Sequence, residues 1–388
     1  MITPDLNRKA AAAMPDTLRT IRRLHRQHDA GLDIVTCGQT RVRELHITIR
    51  PRAGEKVAAL FQRLSVLLKE QQASIVKQDI FGSLAVRNDA LDAMKHAVGE
   101  IQWPVTWVEG ASCGGAPVAG LQVFAVSGAP VHTLTVGKEI VGRVFDDGVA
   151  KQCYLGGLGP KDVALSQADQ TRQLYENLEA ALLQAGMNVT NVVRTWFFLD
   201  DILSWYDQFN GVRNEFFTKH RLFPGSLPAS TGVSGRNPAK SALVANVWAM
   251  QPRDASVQTQ AVPSPLQCPA PEYGSAFSRA LEISSPHGRR VLVSGTASIA
   301  VDGHTARLGD VRAQIALTME VVKAILDGRN MTFSDVTRAI AYFKHKADAP
   351  PFAEWCAAHG VAFLPAVLVQ SDICRPELLF EIELDTLV

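Results

Sequence analysis

Apolar and polar residues alternate near the end of the chain, in Phe380-Glu381-Ile382-Glu383-Leu384-Asp385. That period of two predicts a closing β-strand with its acids on one face. A Cys374-Arg375-Pro376 turn precedes it. Two earlier stretches have the same strand character without the acids. Gly120-Leu121-Gln122-Val123-Phe124-Ala125-Val126 follows Trp103-Pro104-Val105-Thr106, and Ala242-Leu243-Val244-Ala245-Asn246-Val247-Trp248 follows Leu227-Pro228-Ala229-Ser230-Thr231. The pattern predicts one module written three times, with a glutamate-bearing closing strand only in the last copy.

The third copy opens with a short apolar strand, 289–294, ending in Gly295-Thr296-Ala297-Ser298. Asp302-Gly303 is a tight turn, and Asp310 caps a helix whose apolar positions Val311, Ile315, Met319, Val322 and Leu326 follow helical spacing. Asp327-Gly328 ends it, and a strand over 336–343, a short helix over 352–359 and strands within 364–385 follow. The second copy predicts a strand at 152–157, a helix at 170–185 closed by Gly186, a strand at 191–199, a helix at 205–220 and a strand at 242–249. The first predicts strands at 44–50, 73–81 and 121–127 with helices at 55–71 and 90–99. Residues 252–271, with five prolines, read as a linker between the second and third copies. The boundaries are therefore 1–128, 129–262 and 263–388, and the first module carries an N-terminal extension.

Strands with two helices per unit, the helices on one sheet face, make an α+β module. The other face of each sheet still needs a cover. Three such sheets closing around a common core satisfy it, so the expected architecture is a single-chain pseudo-trimer for which a monomer suffices.

Composition narrows the function classes. The chain has 388 residues, 47% hydrophobic and 20% charged, and its net charge of +1 gives no electrostatic reason to expect nucleic acid or a membrane surface as partner. No apolar run reaches the ~20 residues of a membrane helix. Residues 1–27 hold five arginines and read as a surface helix rather than a targeting peptide, because they lack an apolar core and contain Asp5 and Asp16. The six cysteines form no CxxC pair, which argues against a zinc site and a disulfide scaffold and for a cytoplasmic protein with reduced thiols. The histidines show no ligand spacing. Gly156, Gly157 and Gly159 lack the following Lys-Ser/Thr of a phosphate loop. No metal and no cofactor are expected.

The order of the modules resembles the Rid/YjgF-type fold, whose members are homotrimers with active sites between subunits. The third copy resembles chorismatases (chorismate hydrolases) more narrowly. The segments that carry this are Phe277-Ser278-Arg279-Ala280, Val293-Ser294-Gly295-Thr296-Ala297-Ser298-Ile299, Gly309-Asp310-Val311, and Ser371-Asp372-Ile373-Cys374-Arg375 with Leu378-Leu379-Phe380-Glu381-Ile382-Glu383. Arg194-Thr195-Trp196 and Leu227-Pro228-Ala229-Ser230-Thr231-Gly232 of the second copy fit as well. The resemblance covers about the last 260 residues well and the first 120 loosely. It implies a small-molecule substrate, chorismate, cleaved to a hydroxybenzoate and pyruvate. The alternatives are a Rid-like enamine or imine deaminase and a non-catalytic binder of small aromatic acids. Rid deaminases hold the substrate carboxylate with an arginine after the Pro-Ala of the penultimate strand. Val367 and Ser230 stand there instead, which counts against deamination.

Chorismate is an enol ether with two carboxylates, and protonating its enolpyruvyl methylene needs a carboxylic acid that keeps its proton near neutral pH. On an inner strand, between Phe380 and Ile382, burial raises a glutamate's pKa, and Glu383 on the same face raises it further. The resemblance gives the catalytic role to Glu381; the bland reading is a solvated edge strand. It also implies that a cysteine at Cys374 with a glycine at Gly295 marks enzymes that aromatise to 3-hydroxybenzoate, 4-hydroxybenzoate being a second possible product. Cys374 is otherwise a small buried filler. Gly295, Thr296 and Ser298 are candidates for the substrate pocket. Arg194, Arg213 and Lys344 are candidate carboxylate partners, and Tyr154 and Tyr206 candidate cleft walls; each reads equally as surface charge or packing.

Overall fold

The computed structural model describes residues 24–38, 41–222 and 227–388. The first module runs β1 (His25–Asp29), β2 (Leu32–Gly38), β3 (Arg43–Ile49), α1 (Val57–Gln71), β4 (Ser74–Gly82), α2 (Arg87–Val98), β5 (Val105–Val108), β6 (Ala111–Ser112) and β7 (Val118–Ser127). The second runs β8 (Val131–Val136), β9 (Glu139–Asp146), β10 (Ala150–Leu158), α3 (Gln167–Gln184), β11 (Val192–Leu199), α4 (Ile202–Lys219), β12 (Ala229–Ser234) and β13 (Leu243–Pro252). The third runs β14 (Gln258–Val262), β15 (Ala280–Ser285), β16 (Gly288–Ala297), α5 (Val311–Asp327), β17 (Val336–Phe343), α6 (Ala349–Ala358), β18 (Ala366–Gln370) and β19 (Phe380–Leu387). The expected α+β class holds, with three sheets.

Each sheet places its closing strand between two partners: β7 between β3 and β4, β13 between β11 and β10, β19 between β16 and β17. The hydrophobic effect partitions the molecule accordingly. Three outer cores pack helices on one face of each sheet, exemplified by Leu64 with Ile47, Leu178 with Phe197 and Met319 with Ile382. A fourth core joins the opposite faces and takes Phe124, Trp248 and Tyr342, one from each module.

Two expected boundaries differ. Residues 1–23 lie outside the described residues, but His25–Gln27, placed in a surface helix by sequence, belong to β1, paired with β2. The stretch read as a linker contributes β14, an edge strand on β15. Pro252 ends β13, and Pro263 and Pro265 follow β14, outside its ladder.

The registers make the threefold repetition quantitative. A β-bulge sits just before Lys77, Arg194 and Arg338, and these three residues oppose Phe124, Trp248 and Asp385. Two positions on, Gln122, Asn246 and Glu383 are equivalent; two further on, Gly120, Val244 and Glu381 are. Only the third module has an acid at that last position.

Two of the three seams are packed shut. Val367 closes on Gly120, and Pro104 and Thr106 close on Gly156. The Thr106 hydroxyl also hydrogen-bonds Asn246 at 2.5 Å. The seam between β12 and β16 stays open beside Glu381.

At Gly120 an added Cβ would lie 2.8 Å from the Ile49 carbonyl oxygen and 3.0 Å from Val367. Gly120→Ala is therefore expected to destabilise the fold by ~1–3 kcal/mol through overpacking. Chemical denaturation checks this; an unchanged midpoint would mean that the seam is not tightly closed.

Candidate active site

The open seam encloses a cavity of about 130 Å³. Helix α4 supplies Tyr206, Asn210 and Arg213; β12 supplies Ser230 and Gly232; β16 supplies Gly295 and Ala297; and β19 supplies Glu381. The chain before β15 folds across as a strap bearing Tyr273, Phe277 and Arg279, and the turn before β19 adds Cys374 and Arg375.

Glu381 is 4% exposed, and no hydrogen bond to its carboxyl contributes to its proton affinity. Burial, and next the charge of Glu383, push its pKa up to about 8, with Arg279 opposing. Glu383 is 0% exposed yet behaves oppositely. Burial pushes it up, but the guanidinium groups of Arg338 and Arg194 outweigh burial and hold it down to about 2. Arg338 Nη2 donates to Glu383 Oε1 at 2.5 Å, and Arg194 pairs with Oε2, which also accepts from Trp196 Nε1 at 2.6 Å and Thr231 Oγ1 at 3.0 Å. Two carboxylates on one strand face thus have environments that drive their proton affinities apart.

The cleft is cationic. Arg213 is 1% exposed, donates to Asn210 Oδ1 at 2.5 Å and leaves its buried Nε without a partner among the described residues. Arg279 is 4% exposed, donates from Nε to the Cys268 carbonyl at 2.9 Å and leaves its buried Nη2 unpartnered. The Phe277 ring packs against both, its centre 5.6 and 5.7 Å from the two guanidinium carbons. Tyr273 sits beneath Arg279 and Arg375 at 5.2 and 5.5 Å. None of the three arginines has a carboxylate partner among the described residues, so the seam offers buried bidentate donors to an anion.

Burial first, then Glu381, pushes the Cys374 thiol up to about 12. It is a neutral thiol at ordinary pH, not a thiolate nucleophile. Gly295 has a role that sequence reasoning assigned differently. Sequence reasoning made it a substrate-pocket candidate, but the Glu381 carboxyl occupies the space beside it, and an added Cβ would overlap its Oε1.

Of the sequence-predicted residues, Glu381, Cys374, Gly295, Arg213 and Tyr206 converge on the cavity. The other five do not. Strand alternation turns Thr296 and Ser298 away, and their hydroxyls bond the Ser294 and Ala306 carbonyls. Arg194 is consumed by Glu383. Tyr154 stacks between Phe124 and Trp248 in the central core, at 4.6 and 5.2 Å. Lys344 reaches the Pro376 carbonyl from a separate open groove. Arg279, Arg375, Tyr273 and Phe277 were not singled out, although Phe277, Arg279 and Arg375 lie inside quoted motifs. In a wider groove of about 470 Å³ elsewhere, Arg290 pairs with Glu44 and Arg253 with Asp146.

Residues 149–250 match the family described as Endoribonuclease L-PSP. A protein of Streptomyces hygroscopicus named "Chorismatase" is 26% identical over 297 residues, covering 67% of this chain and 84% of that protein. Another from the same organism, named "3-hydroxybenzoate synthase", is 28% identical over 238 residues, covering 55% and 68%. A crystal structure of a chorismatase superposes with a TM-score of 0.62 at 19% identity, over 81% of this chain and 93% of that one, and shares the fold. The chain is similar to the chorismatases over most of its length, and its modules have the Rid/YjgF-type fold.

Gly295→Ala should displace the Glu381 carboxyl, because the flexible acid yields more easily than the strand; an off-rotamer side chain costs only ~0.5–1.5 kcal/mol. A crystal structure of the variant reads this out. A carboxyl left in place would mean that the backbone moved instead.

Proposed function

We propose that the chain converts chorismate to a hydroxybenzoate and pyruvate, with Glu381 as the general acid. The observation that carries this reading is the combination in one seam of a buried carboxyl pushed up to about 8 and unpaired buried arginines. The Streptomyces hygroscopicus relative named "Chorismatase" supports this substrate, and the one named "3-hydroxybenzoate synthase" supports an aromatic product.

The chemistry follows from the charges. Chorismate presents two carboxylates, and Arg213 and Arg279 provide two buried guanidinium groups, both against Phe277, with Arg375 against Tyr273. Glu381, protonated, transfers its proton to the enolpyruvyl methylene, and the ether becomes an oxocarbenium ion. Water adds to that carbon, and the resulting hemiketal collapses to pyruvate and a ring diol that keeps the former ether oxygen. Loss of the neighbouring ring hydroxyl as water, with a ring proton, gives 3-hydroxybenzoate, so the water consumed equals the water released. Breaking the ring carbon–oxygen bond instead releases enolpyruvate, which tautomerises to pyruvate, and loss of the ring proton from the neighbouring carbinol carbon gives 4-hydroxybenzoate. Cys374, a neutral thiol against the same cavity, is placed to move a proton in the dehydration.

Incubating the purified protein with chorismate and separating the products tests the reading; wild type should release pyruvate and an aromatic acid, and unchanged chorismate would reject it. Glu381→Gln should keep the fold and lower turnover by ~10²–10⁴-fold. Because the protonated acid is the active form, wild-type turnover should be present below, and lost as pH rises through, about 8. Turnover that persists in Glu381→Gln, or that does not fall across that range, moves the acid elsewhere.

Cys374→Ala should lower 3-hydroxybenzoate formation more than total chorismate consumption, with the ring diol or 4-hydroxybenzoate taking up the difference. A wild-type product distribution at the wild-type rate would leave the thiol as packing.

A further inference from the structure

Glu383 lies two residues from Glu381 on the same face, in a place where the equivalent residues are the neutral amides Gln122 and Asn246. A buried carboxylate is costly where an amide fills the same space, so its retention asks for a reason. Its partners come from both sides of the seam: Arg194, Trp196 and Thr231 from the second module, Arg338 from the third. Thr231 then receives a hydrogen bond from the Gly295 amide at 3.1 Å, beside the Glu381 carboxyl. One carboxylate therefore ties together the two strands that bound the cavity and the glycine that makes room for the acid.

We propose that Glu383 is a positioning residue, locked as a carboxylate across the seam between Arg194 and Arg338, and that its fixed negative charge keeps the proton of the pair on Glu381. The proposal rests on Glu381 being the acid. The other groups that face Glu381 do not supply this charge. Arg213 on α4 and Arg279 and Arg375 around the strap are cations, which favour the ionised form. Tyr206, Tyr273 and Cys374 carry burial-raised pKa values, and so does Tyr342 beside it on β17; all four are neutral at the working pH. Asp207 is exposed at the rim, where water screens it. With Glu383 neutral, the nearby cations would dominate, and Glu381 would ionise at lower pH.

The test is a direct titration of the Glu381 carboxyl by carbon-13 NMR, assigned with Glu381→Gln, in wild type and in Glu383→Gln. The expected result is a midpoint lowered by ~1 pH unit or more in Glu383→Gln, with the high-pH loss of chorismate turnover moving down by the same amount. If Glu383→Gln does not fold because two guanidinium groups lose a partner, Arg194→Met/Glu383→Gln removes one cation with the anion and leaves Arg338 on Asp385, 3.0 Å away; the same downward shift is expected. Trp196→Phe deletes a hydrogen bond to Glu383 without changing charge and should leave the midpoint in place. An unmoved midpoint in a folded Glu383 variant overturns the proposal, and so does an equal shift in Trp196→Phe. Absence of chorismate turnover in wild type would reject the proposed reaction, while the NMR midpoints would still decide the coupling.

Discussion

The arrangement depends on one buried carboxylate held by two guanidinium groups. Arg194 and Glu383 are both completely buried and come from different modules. Taking charges out of water costs several kcal/mol per ion, and removing one partner of such a pair typically costs ~3–5 kcal/mol because the other is stranded. The seam between the second and third modules therefore has a narrow choice of geometries. Trp196 and Thr231 complete the acceptor set of Glu383, and Thr231 passes the constraint to the Gly295 amide. The acid site is built on the far side of that link.

The threefold repeat explains why chemistry is confined to one seam. Each module places a cation after the same bulge: Lys77, Arg194 and Arg338. Lys77 is neutralised within its own module by Asp79, whereas Arg194 reaches across to Glu383. Where Glu381 stands, the other copies have Gly120, pressed by Val367, and Val244. A homotrimer would repeat its site three times. A single chain lets two seams become packing surfaces and one a cleft with its own charge pattern.

Much of this was legible in the sequence because strand and helix periods report which face a residue occupies. The alternation through Phe380 to Asp385 places both glutamates on one face, and helical spacing from Val311 to Leu326 gives α5. The same rule, applied along Gly295 to Ser298, separates Gly295 and Ala297 from Thr296 and Ser298; counting the segment as one motif hid that. Arg194 and Tyr154 do face inward, but a face is not a destination. Arg194 was claimed by a charge 189 positions away, and Tyr154 joined an aromatic stack drawn from two modules. Arg279 entered the cleft on a strap whose prolines read as a linker. Long-range pairing of that kind leaves no local period to detect.

The most direct measurement is a neutron crystal structure of the protein at pH 7, exchanged into deuterium oxide. The account predicts a deuteron on the Glu381 carboxyl and none on Glu383, which would be seen as a bare carboxylate between fully deuterated Arg194 and Arg338. A bare Glu381, or a deuteron on Glu383, would contradict it.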